Sequence, residues 1–114
     1  MYSVIVQPKT AEHPFYEQGS KMGYDINGQQ GPTLLLKLGE IYQFNINTPN
    51  HPFYFTTSDT GATNSNDPLK LSEPLQSGTL QFTIQDNFPS EFYYQCDSHP
   101  KMGGKVQTIV DINK

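Results

Sequence analysis

Cys96, His99 and Met102 fall within seven residues, in the run Tyr93-Tyr94-Gln95-Cys96-Asp97-Ser98-His99-Pro100-Lys101-Met102-Gly103-Gly104-Lys105-Val106. A thiolate, an imidazole and a thioether at that spacing can converge on one metal ion. The soft sulfur donors favour Cu(I), whereas imidazole also suits Cu(II), so adding a second imidazole gives a set that holds copper in both states. The chain has three His, which leaves only His13 and His51 to supply it. His51 is the better candidate, because it follows Thr48-Pro49-Asn50 and opens an aromatic stretch. In a sandwich, such a turn can sit at the same end as the Cys96 loop. His13 stays open as the alternative, although it and Met22 read first as packing or surface residues of a long polar segment. A lone Cys is ordinarily an inert buried residue. Here the spaced His and Met set it apart.

These residues need strands to position them. Residues 2–7 alternate Tyr2, Val4 and Val6 against Ser3, Ile5 and Gln7, which is strand periodicity. Residues 8–32 form a polar stretch in which Asn27-Gly28 marks a tight turn. Residues 33–38 are an apolar run broken by Lys37, and Gly39-Glu40 turns it into 41–47, with Tyr42, Phe44 and Ile46 on one face. An aromatic strand is expected over 53–57, then a polar loop over 58–77 crossing between sheets. Residues 79–85 put Leu80, Phe82 and Ile84 on one face, 91–96 do so with Phe92, Tyr94 and Cys96, and 105–112 close the chain. About seven to eight short strands without a helix of three turns predict an all-β fold, an antiparallel Greek-key sandwich forming a single domain over 1–114.

Composition narrows the function. Only 34% of the residues are apolar, but seven Phe and seven Tyr are among the aromatic total, so large rings must carry the core. The net charge of −4 leaves no basic stripe to meet phosphates, which argues against nucleic acid. No stretch reaches the roughly 18 apolar residues of a membrane span. One Cys makes no internal disulfide, so the redox compartment is not written in cysteine pairing. The opening MYSVIVQ lacks the basic and apolar segments of a leader, so export would require that one has been removed.

The Cys-x2-His-x2-Met loop behind a Tyr-rich strand, with His-Pro inside it and Gly-Lys-Val after it, resembles the cupredoxin (type 1, blue copper) family. The loop is most similar to that of amicyanin, since plastocyanin and pseudoazurin have a longer interval between His and Met. The similarity extends more loosely to 31–47, through Pro-Thr-Leu-x-Leu-x-x-Gly-Glu. It implies a cupredoxin-like sandwich with His51, Cys96, His99 and Met102 as ligands of one copper ion. It also implies single-electron transfer between redox partner proteins, by a monomer in a periplasmic or other extracytoplasmic location. Copper delivery, or a binding module without electron transfer, is the alternative. Blue-copper enzymes commonly join a second copper through a His beside the Cys. Here Gln95 and Asp97 flank Cys96, so no enzyme is expected.

Two departures from that family carry expectations of their own. The first strand of such folds runs toward the copper end, so residues 8–32 are expected to lie over the site. Pro52 stands after His51, where relatives place a residue whose backbone N–H points at the Cys sulfur. Proline has no N–H. Ser98, where amicyanin has Pro, is expected to supply that donor instead.

Overall fold

The computed structural model describes residues 2–57, 74–86 and 88–110. They form nine strands: β1 (Tyr2–Pro8), β2 (Met22–Ile26), β3 (Gln29–Gln30), β4 (Leu34–Lys37), β5 (Ile41–Asn47), β6 (Phe53–Thr56), β7 (Ser77–Thr83), β8 (Glu91–Cys96) and β9 (Gly104–Ile109). One sheet has the order β3-β2-β1-β5-β7 and the other β4-β9-β8-β6. The alternation read from sequence is realised in β5, where Phe44 and Ile46 are buried, and in β8, where Phe92, Tyr94 and Cys96 are fully buried.

Two features depart from an antiparallel sandwich of seven to eight strands. β1 pairs with β5, and β4 with β9, in parallel, so the sheets are mixed. Parallel neighbours need a crossover between them. From β1 the chain makes a hairpin and visits the second sheet in β4 before β5 returns beside β1. The extra strands β2 and β3 come from the polar stretch 8–32. Asn27 (φ 53°) and Gly28 (φ 86°) link them, the two positive φ values that a two-residue type I′ hairpin requires. Most of the expected crossing loop lies outside the described residues. Leu75 already bridges Phe53, and Ser77 already belongs to β7. β9 stops at Ile109, and Val110 is 68% exposed rather than inward.

Aromatic rings join the sheets. Phe53 meets Tyr24 edge-on at 5.1 Å and stacks on Tyr94 at 5.8 Å, and Phe55 meets Phe44 and Phe82 at 5.1 Å each. Edge-to-face pairs add about 0.5–1.5 kcal/mol each beyond the area they bury, so ring contacts supplement the aliphatic burial of Val4, Ile26, Leu36 and Val106. Burial keeps the Tyr94 phenol protonated, and it donates to the Pro32 carbonyl at 2.6 Å.

The Gly103-Gly104 pair does something other than turn the chain. Neither residue has a positive φ, and a Cβ on Gly103 would overlap the Tyr94 carbonyl oxygen. The missing side chain lets the end of the ligand loop lie against β8, where Gly103 N–H donates to the buried Gln95 Oε1 at 3.0 Å. Gly103→Ala should therefore lower the unfolding free energy by about 2–3 kcal/mol or more through overpacking. Thermal or urea unfolding of the metal-free protein measures this, and a variant as stable as the parent would contradict the close approach.

Candidate metal centre

β6 and β8 are antiparallel neighbours, with Phe53 opposite Cys96. That register brings the residues just before β6 and the last residue of β8 to the same end of the sheet. His51 is set by a turn in which its N–H donates to Thr48 O at 3.0 Å, with Asn50 at φ 67°. Thr48 is itself buried, and its N–H donates to Gln76 O at 2.8 Å. After Cys96, Asp97 N–H donates to Pro52 O at 2.9 Å, tying the two loops by their backbones.

The result is one cluster. One ring nitrogen each of His51 and His99 and the Cys96 Sγ all lie within 4.8 Å of one another. Sγ is 3.9 Å from Nδ1 of His51 and 3.6 Å from Nδ1 of His99, and the two rings are 4.6 Å apart. Cys96 is fully buried and the two imidazoles are partly exposed. Met102, in the same loop as Cys96 and His99, is fully buried.

Sequence spacing alone left His13 open as the second imidazole. The structure brings His51 to the thiolate and sends His13 elsewhere: its Nε2 lies 2.9 Å from Met102 O, and Phe15 N–H donates to its Nδ1 at 3.0 Å. Met22 opens β2, partly buried against the core. The stretch 8–32 does lie beside the ligand loop. Its Tyr24, which sequence reasoning passed over, reaches the cluster directly. Burial first, and then the facing Cys96 side chain, push the Tyr24 phenol far above its ordinary value. It stays protonated and donates to His51 O at 2.9 Å. Asp25-Ile26 before Asn27-Gly28 was the available signal for this strand, because a hairpin turn needs a strand on each side.

The sulfur receives the expected donor. Ser98 N–H points at Cys96 Sγ over 3.4 Å, while Pro52 contributes only its carbonyl, to Asp97.

Rusticyanin from Thiobacillus ferrooxidans matches with a TM-score of 0.55 at 17% identity, over 96% of this chain and 76% of that one. A reduced rusticyanin gives 0.54 at 16% identity, over 96% and 78%. This is the cupredoxin fold. A multicopper oxidase from the hyperthermophile Aquifex aeolicus also matches, with a TM-score of 0.53 at 16% identity, over 96% of this chain and 26% of that one. No protein-family model and no curated protein matches the sequence. At such identities the likeness concerns the fold, and the cupredoxin chemistry must be tested on this chain's own donors.

They fit a metal ion. Bonds of about 2.0–2.3 Å from nitrogen and sulfur to one ion, at tetrahedral to trigonal angles, separate the two donors by about 3.6–3.8 Å. The observed 3.6 and 3.9 Å bracket that interval. The donor types, two imidazoles and a thiolate with a Met in the same loop, are those of a copper site.

Burial, and for His51 also the facing His99, push the His51 imidazole below its ordinary value. Burial does the same to His13, against the opposing effect of its bond to Met102 O. Both rings are thus neutral at pH 7, as a ligand and a hydrogen-bond acceptor require. Unfolding restores the ordinary imidazole affinity for protons, so the unfolded chain takes up more protons below about pH 6.5. The stabilisation is complete above that pH and is lost as pH falls toward the lowered folded values. The urea midpoint of the metal-free protein should therefore fall between about pH 6.5 and 5, above the usual carboxylate range near 4. A flat midpoint across that interval would show that neither ring resists protonation.

Proposed function

We propose that the chain is a type 1 copper protein that carries single electrons between redox partner proteins. Copper would be held by His51 Nδ1, Cys96 Sγ and His99 Nδ1, with the Met102 thioether as a fourth, weaker donor. The observation that carries this reading is the meeting of one buried thiolate with two imidazole nitrogens at ion-binding separation. Bound copper supplies the one-electron chemistry, Cu(I)/Cu(II).

The protein's part is to hold its donors still and dry. Cys96 is fixed at the end of a paired strand and excluded from water. His51 is held through Thr48, Asn50 and Tyr24, so little needs to move when the ion changes charge. His99 sits partly exposed in the loop between β8 and β9 and marks the end where a partner would approach. The reading is of a monomeric, single-domain carrier, placed outside the cytoplasm on the strength of the family resemblance. A carrier is favoured over an oxidase because three His are too few for a second copper centre. Cys96 is also flanked by Gln95 and Asp97 rather than by His.

Copper-loaded protein should be intensely coloured by thiolate-to-copper absorption in the visible, and a reductant should bleach it. Cys96→Ser should abolish the band, and His51→Ala should disturb it, with added imidazole restoring it. A colourless copper adduct of the parent would end this reading. A reversible couple with fast self-exchange distinguishes a carrier from a delivery protein, which would yield its copper to a weak chelator.

The Ser98 amide also makes a redox prediction. A donor on the thiolate withdraws charge from it, disfavours Cu(II) and raises the potential. A net hydrogen bond of about 0.5–1.5 kcal/mol corresponds to roughly 20–60 mV for one electron. Ser98→Pro should lower the potential by about that amount while the protein stays blue, and Ser98→Ala, which keeps the amide, should change it little. A rise in Ser98→Pro would show that the amide does not serve the sulfur.

A further inference from the structure

The chain from the end of β1 into β2 straps the ligand loop at successive residues. Ser20 N–H donates to Pro100 O at 3.0 Å, and Lys101 Nζ donates to Gln18 Oε1 at 3.3 Å. Met102 O then accepts from both Tyr24 N–H and the His13 ring, each at 2.9 Å. Both lone pairs of that carbonyl are therefore used.

The His13 contact is built for. The ring is 3% exposed, and its Nδ1 accepts Phe15 N–H, so the proton sits on Nε2 and points at Met102 O. Glycine makes room for it: a Cβ on Gly23 would lie 2.7 Å from His13 Cδ2 and 2.8 Å from Nε2, and one on Gly31 would lie 2.5 Å from Cδ of the adjoining Pro14. Lys101, between His99 and Met102, has φ 59°, a left-handed conformation that a non-glycine residue keeps only where its surroundings enforce it. The strap supplies that enforcement on both sides of Lys101.

We propose that His13 is a positioning residue for the weak sulfur ligand, donating from Nε2 to the Met102 carbonyl so that the backbone fixes where the thioether sits. A weak donor does not hold its own place, so its position must be set by the chain that carries it. The inference rests on the reading of Met102 as a metal donor, and the test separates the two.

Three variants of the copper-loaded protein are compared by visible spectrum, electron paramagnetic resonance, reduction potential and rate of copper loss to a chelator. Met102→Leu should shift the spectrum and potential. His13→Leu should shift both in the same direction by less, and speed copper loss about three- to tenfold, the value of one net hydrogen bond. His13→Gln retains an N–H donor of similar reach and should stay near the parent. Leu removes both the donor to Met102 O and the acceptor for Phe15 N–H, whereas Gln offers an N–H donor and a carbonyl acceptor, so recovery in Gln assigns the effect of Leu to lost hydrogen bonding rather than to lost packing. The proposal is overturned if Met102→Leu shifts the potential while His13→Leu matches the parent, or if both His13 variants shift alike. An unchanged Met102→Leu would remove Met102 from the donor set and this proposal with it. If His13→Leu does not fold, nitrogen NMR of the reduced parent decides: a slowly exchanging Nε2–H on His13 supports the bond, and an Nδ1–H tautomer overturns it.

Discussion

Phe53 paired with Cys96 across β6 and β8 is the contact on which the site depends. A shift of one residue would turn every side chain of β8 to the opposite face. Cys96 would then leave the interior and His51 would lose its place beside it. The register is well determined because both strands are buried: all four residues of β6 lie in the interior, as do four of the six in β8. The Phe53 ring touches Tyr24, Tyr94 and Phe55, so one residue locks the pairing and packs the core beneath the site.

From that anchor the polar groups fall into place. Leu75 bonds Phe53 through both backbone groups and carries the chain toward β7, while Thr48, next to it, donates its hydroxyl to Leu75 O. Asp97 and Tyr24 bond the backbone at Pro52 and His51. The Cys96 sulfur faces two imidazole nitrogens and one backbone N–H, polar neighbours that an ordinary core cysteine lacks.

Sequence and structure agree most closely where the chemistry is local. Cys96, His99 and Met102 lie in one short loop, and alternation in β5, β7 and β8 reports which faces turn inward. The Ser98 amide was legible too, because Pro52 lacks the group that Ser98 keeps. β2 was not legible. Its residues Gly23, Tyr24, Asp25 and Ile26 are all buried, so no apolar–polar alternation marks them within a polar stretch. The parallel pairings were hidden for a related reason: strand direction depends on where the chain has been between two strands, not on the residues within them. Val110 continues the pattern of β9 but is exposed.

The sequence by itself determined the candidate donor types, the short segment that carries three of them, and the two-sheet class of fold, because each follows from spacing over a few residues. Sequence favoured His51 over His13, but only the tertiary structure shows where each ring lies. It placed one imidazole against the thiolate and gave the other to a carbonyl 89 residues away. It also turned an unpromising polar stretch into a strap over the ligand loop. Such choices rest on backbone groups and on glycines that make space, and these carry no side-chain signal until the sheets have closed around them.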